Sequence, residues 1–117
     1  METGHKKIHF EKISCRGQPP TERIAHSLEI IHNKAYVFGG YSGLELDDFF
    51  TLDLKTFEWK RIEVNYNRPR RRNNHASAVF QQTLFIHGGY DGEDWLNDMF
   101  CFNTVKESWT ELYFTDH

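Results

Sequence analysis

The sequence predicts an all-β fold built from two copies of one four-stranded antiparallel unit, and three observations carry that prediction. Tyr36-Val37-Phe38-Gly39-Gly40-Tyr41 returns as Phe85-Ile86-His87-Gly88-Gly89-Tyr90, at an offset of 49 residues. The likeness extends outward: offset 49 also pairs Pro20 with Pro69, Arg23 with Arg72, His26 with His75 and Ile30 with Val79. Beyond the glycines an offset of 50 matches Leu46-Asp47-Asp48-Phe49-Phe50 to Leu96-Asn97-Asp98-Met99-Phe100, and Trp59 to Trp109. Finally, no stretch sustains the 3.6-residue period of a helix, while aromatics reach 15%. Rings and β-branched residues at that density fit pleated, half-buried surfaces.

Each unit then reads in order. Residues 1–6 carry no pattern and are expected to be a flexible tail. Residues 7–14 match the end of the first unit, Phe10 to Trp59 and Ile13 to Ile62, and are expected to be the last strand of an earlier unit. Gly17, Pro19 and Pro20 mark a loop. The first unit is expected to hold strands at Ala25–Ile31, Ala35–Phe38, Asp48–Leu54 and Phe57–Glu63. The second repeats them at Asn74–Phe80, Thr83–His87, Asp98–Asn103 and Ser108–Phe114. The glycine pairs are expected to end the second strand, letting the backbone turn or approach a neighbour where no Cβ fits. One residue is inserted between Tyr90 and Leu96, as a surface loop tolerates.

Gly39, Gly40, Trp59, Gly88, Gly89 and Trp109, with Tyr41 and Tyr90 after the glycines, resemble the motif of the kelch repeat. That repeat has a period of about 50 residues and builds four-stranded blades of a β-propeller. The resemblance covers nearly everything from Ile8 to Phe114. It implies a kelch-type propeller portion: residues 7–14 the outer strand of a preceding or partner blade, 25–63 the first blade, 64–73 a basic connecting loop, 74–114 the second blade. It also implies a binding face for partner proteins on the loops.

Length sets a problem for that fold. A ring closes with 4 to 8 blades, on the order of 200 residues or more, and two blades leave two apolar faces uncovered. Two readings stay open: the remaining blades of a longer chain, or a homo-oligomer in which several copies complete a ring.

Net charge is −3 and the isoelectric point about 6.1, so nothing draws the chain generally to nucleic acid or an anionic membrane. No apolar run approaches a membrane span, and Met1–Lys7 lacks the apolar core of a secretory signal. Cys15 and Cys101 fall at non-equivalent places in the repeat, which argues against a disulfide framework. The expected compartment is the cytoplasm or nucleus.

The candidate binding surface follows from strand direction. Loops after the second and fourth strands of a unit emerge on one side, and here they are the elaborate ones. Arg68, Arg70, Arg71 and Arg72 give that side planar guanidinium forks suited to carboxylate or phosphate. Tyr41, Glu45, Asp91, Glu93, Asp94 and Trp95 add acidic and aromatic groups, and Trp95 lies where the repeat itself requires no tryptophan. The plainer alternative has the arginines solvated or paired with the acidic loops. His26 and His75 recur equivalently, which fits a structural role at the start of the innermost strand. Asp48 and Asp98 are expected to accept backbone N–H bonds ahead of the third strand.

Some kelch-like propellers are enzymes, copper-radical oxidases among them. This sequence has no Cys/His cluster of ligand spacing, phosphate loop, serine elbow or metalloprotease helix. His5 and His9 have helical ligand spacing in a stretch read as strand. Asp91, Glu93 and Asp94 lack the terminal Glu of a calcium loop. No catalytic residue, metal or cofactor is expected; the expected partner is a protein.

Overall fold

A computed structural model describes residues 13–113. Most of the stretch read as an outer strand over 7–14 therefore lies outside the described residues, as does Phe114. Every element among the described residues is a strand: β1 (Arg16–Gly17), β2 (Ser27–Ile31), β3 (Lys34–Tyr41), β4 (Glu45–Asp53), β5 (Glu58–Arg61), β6 (Ala76–Phe80), β7 (Thr83–Tyr90), β8 (Trp95–Asn103) and β9 (Ser108–Leu112). They form two sheets, one ordered β1-β5-β4-β3-β2 and the other β6-β7-β8-β9. Within each, the four repeat strands pair antiparallel. The only parallel pair among the described residues is β1 on β5, setting Arg16 beside Glu58 and Gly17 beside Trp59.

The glycine pairs do not end their strands. β3 runs through Gly39 and Gly40 to Tyr41, and β7 through Gly88 and Gly89 to Tyr90, each with a register shift at the glycines. That is a β-bulge, which re-aims a strand without terminating it. All four glycines have positive φ, 68° and 110° in the first pair and 68° and 98° in the second. The loops expected after the second strands consequently shrink to Ser42–Leu44 and Asp91–Asp94, and the inserted residue falls in the second of these.

Close approach gives the glycines their second reason. A Cβ on Gly39 would stand 2.8 Å from the Arg72 carbonyl oxygen and 3.0 Å from the His75 ring. On Gly89 it would stand 2.6 Å from the Asn73 carbonyl oxygen. Through Gly39 the connector between the blades lies directly on the first bulge. There Gly40 N–H donates to the Arg72 carbonyl at 2.9 Å, while Arg72 N–H donates to the Leu46 carbonyl at 3.0 Å.

The core lies between the two sheets. Ile31, Tyr36, Phe38 and Phe49 of the first blade meet Leu84, Ile86, Phe100, Phe102 and Trp109 of the second. Trp109 is its centre: the indole sits 5.0 Å from Phe49, 5.0 Å from Phe102 and 5.7 Å from Phe38, ring centroid to centroid. Trp59 holds the equivalent register, opposite Leu52 as Trp109 is opposite Phe102. It lies on the side of the first blade turned away from the second, and is only half-buried. Equivalent sequence thus gives equivalent register, but among the described residues only Trp109 packs against the other blade.

Candidate functional site

The loop end of the two blades is held by a pair of matched ionic clamps. Arg72 Nη1 and Nη2 reach the two carboxylate oxygens of Asp98 at 2.5 and 2.9 Å. Nη1 also donates to the Gly88 carbonyl at 3.0 Å and Nε to the Arg70 carbonyl at 3.0 Å. Forty-nine residues earlier Arg23 does the same. It grips both oxygens of Asp48, donates to the Gly39 carbonyl at 3.1 Å, and donates through Nε to Thr21. The guanidinium in each case satisfies the carbonyl of the first glycine, which the bulge takes out of the ladder. Each also lies over a Phe ring, Arg72 on Phe100 and Arg23 on Phe50, both at 5.7 Å.

Two expectations are corrected here. Arg72 has a side chain 0% exposed and is part of the scaffold, so no partner reaches it in this arrangement. Asp48 and Asp98 accept arginine side chains, where backbone N–H groups of a turn were expected.

The remaining predicted residues divide by their neighbours. Asp91 is buried and organises its own loop, accepting N–H from Glu93 at 2.8 Å and Asp94 at 2.7 Å, then Arg70 Nη1 at 2.8 Å. Those bonds, backbone first, hold its carboxyl at about 2. Arg70 is exposed beyond that contact, and its own pKa is raised by the bond to Asp91. Glu45 accepts from Asn73 Nδ2 at 3.0 Å and packs against Gly92, tying the first blade's loop to the second's. Arg68 lies on Asp47. Part of the arginine cluster therefore does pair with the acidic loops.

What stays presented is narrower. Arg71, Glu93 and Asp94 are exposed, as is Tyr41. Trp95 is 75% exposed and its indole leans on Tyr90 at 5.0 Å, so the ring is held while one side faces solvent. A cavity of about 390 Å³ opens beside it, lined by Arg68, Arg70, Trp95, Asp98, Phe100 and Glu111 among others. The connector and the top of β8 thus bring three of the predicted residues, Arg68, Arg70 and Trp95, to one hollow. Among the described residues no group of three or more His, Cys, Asp or Glu could hold a metal ion.

His75 is the residue whose environment the sequence does not reveal. Its ring packs edge-on against Phe38 at 5.5 Å, across the blade interface, and neither ring nitrogen makes a hydrogen bond of ordinary geometry. Burial, then the Arg72 charge, holds its pKa at about 4, against a weaker upward pull from the Phe38 carbonyl. Its role is structural, as a neutral plug between blades.

Comparison with known proteins agrees with this geometry. Residues 4–117 match the family model described as the KLHDC2/KLHL20/DRC7 Kelch-repeats domain. The chain is 36% identical to mouse Kelch domain-containing protein 1, over 82% of this chain and 25% of that protein. It is 33% identical to human Kelch domain-containing protein 10, over 90% of this chain and 25% of that protein. It is also 33% identical to Rho GTPase-activating protein gacHH of Dictyostelium discoideum, over 83% of this chain and 7% of that protein. The chain spans a quarter or less of the length of these three relatives. With matching bulges, clamps and tryptophans in both sheets, and a family model covering nearly all of it, the chain belongs to the kelch-repeat family.

Proposed function

We propose that this chain is a protein-recognition module of an adaptor or scaffold, binding its partner through the loop end of the two blades. Kelch repeats in general mediate protein–protein interaction, and the family is generally non-enzymatic. The single observation that carries the reading is the hollow where Arg68, Arg70 and Trp95 converge. A tryptophan this exposed, held by Tyr90 and flanked by arginine forks, has the make-up of an interface anchor. Arg71, next to Arg70 in the chain, adds an exposed cation. In this reading the partner is a polypeptide with acidic or carboxylate groups near an apolar side chain, met in the cytoplasm or nucleus. The test compares partner recovery by the parent chain with Trp95→Ala and Arg71→Glu, both at exposed positions. Recovery should fall at least tenfold with circular dichroism unchanged; equal recovery would remove this surface from the account.

A second reading, self-assembly of two-blade chains, is favoured by a different observation. Leu28 and Ile30 on one sheet, and Phe80 on the other, lie on the outward faces and are more than half exposed. Such faces favour association. Light scattering on the purified chain decides it, a folded monomer at micromolar concentration being the contrary result.

A further inference from the structure

Each blade carries a phenylalanine at the same place in its third strand, and the two are furnished differently. Phe50 lies opposite Arg61 across β4 and β5, and Phe100 opposite Glu111 across β8 and β9. Two guanidinium groups lie over Phe50, Arg23 at 5.7 Å and Arg61 at 5.8 Å from the ring centroid. Over Phe100 lies the counterpart of the first alone, Arg72 at 5.7 Å. The counterpart of the second is missing because position 111, fifty residues after Arg61, is a glutamate. Phe100 and Glu111 both line the hollow of about 390 Å³ that opens beside Trp95. In the repeat, therefore, the hollow stands where the first blade supplies an arginine of its own.

The charges around it sum against a simple anion site. Arg68 pairs with Asp47 at 3.4 Å, Arg70 with Asp91 at 2.8 Å, and Arg72 with Asp98. Glu111 is the carboxylate left over: among the described residues it joins no ion pair and accepts only from the neutral Tyr113 hydroxyl, at 2.9 Å. The equivalent positions in the first blade, Arg61 and Glu63, neutralise each other at 3.4 Å. Arg71 is exposed and does not line the hollow. A half-buried carboxylate without a counter-ion gains most from a cation brought beside it, since the attraction is less screened there than in bulk water. The walls decide which cation. Trp95 and Phe100 offer rings, on which a planar guanidinium stacks and a compact, strongly hydrated ammonium does not.

We propose that the hollow receives an arginine side chain of the partner, its stem along Trp95 and its guanidinium between Phe100 and the Glu111 carboxylate. This rests on the recognition reading above and adds a basic side chain to the acidic groups that reading gives the partner. Those groups meet Arg71 and the exposed side of Arg70, outside the hollow.

The test titrates N-acetyl-arginine amide into the isotope-labelled 117-residue chain and follows the Trp95 indole N–H by nuclear magnetic resonance. A saturable shift is expected. The citrulline derivative, of the same shape without the charge, should bind about tenfold more weakly, with the lysine derivative in between. Glu111→Gln should weaken the arginine titration about tenfold with β circular dichroism retained. Glu111→Arg, which restores the first blade's arrangement, should abolish it, and decides the matter alone should Glu111→Gln lose its circular dichroism. No saturable shift with arginine, an equal response to citrulline, or saturation by N-acetyl-aspartate amide instead would overturn the basic occupant. Partner recovery that still falls with Trp95→Ala would then leave the recognition reading standing. The converse, a normal arginine titration with recovery unaffected by Trp95→Ala, would remove the recognition reading and leave the hollow as a guanidinium site.

Discussion

Arg72 and His75 show how a repeat position acquires a physical role. Arg72, fully buried, and Asp98, partly buried, form a two-point ion pair at the bulge, and removing one member strands the other. Arg72→Ala should therefore cost about 3–5 kcal/mol in chemical denaturation. Converting both members to apolar residues of similar size should cost less. The offsets that align Arg23 with Arg72 and Asp48 with Asp98 are visible in the sequence. The bond between Arg and Asp is not, because the partners stand 25 and 26 residues apart and meet only once the bulge folds the strand back. Likewise the recurrence of His26 and His75 reads as structural without showing that His75 alone is walled in by a second blade. Its folded pKa of about 4 lies below the ordinary 6.5, so the unfolded chain takes up a proton first as pH falls. The stabilising effect of the neutral ring is complete above pH 6.5 and is lost as pH drops toward 4, amounting to about 3 kcal/mol. Denaturation midpoints measured from pH 7 to 4 should fall more steeply for the parent than for His75→Leu, as the unfolded parent takes up the proton that the folded ring refuses. Parallel curves would contradict the burial argument.

The elements place a different demand on glycine. Strand signals and the Gly-Gly pairs are legible in the sequence, and so is their equivalence. The continuation of β3 and β7 through the glycines is not, since Gly-Gly reads equally well as a stop and as a bulge. Crowding and backbone conformation are separable here. Gly43 has φ 91° with nothing within 4 Å of where a methyl would sit, whereas Gly89 has φ 98° and the Asn73 carbonyl oxygen 2.6 Å from that point. Gly43→Ala should cost the conformational penalty alone, about 1–2 kcal/mol. Gly89→Ala should cost clearly more in the same urea titration, because the Asn73–Tyr90 bridge must open to admit the methyl. Equal costs would mean that the bulge does not bring the connector so close.

At the scale of the two blades together, the tryptophans sit in unequal surroundings. Trp109 is 4% exposed at the centre of the interface, and its loss should cost about 3–5 kcal/mol, the range for large aromatic truncation in a core. Trp59→Ala in the isolated chain should cost less than half as much, since no described residue of another blade covers it. The repeat makes the two positions look alike in sequence, and the difference arises because, among the described residues, only Trp109 lies against the other blade. The loop surface was legible as a cluster of arginines, acids and Trp95. Which arginine is scaffold and which is presented depends on where the connector runs, and that is fixed by contacts across the interface. The most direct test of the stacked blades is therefore the nuclear Overhauser spectrum of the Trp109 indole. Cross-peaks to the rings of Phe38 and Phe49, on the other blade, are the predicted result; contacts confined to its own sheet, such as Phe102 alone, would contradict the stacking from which every other claim follows.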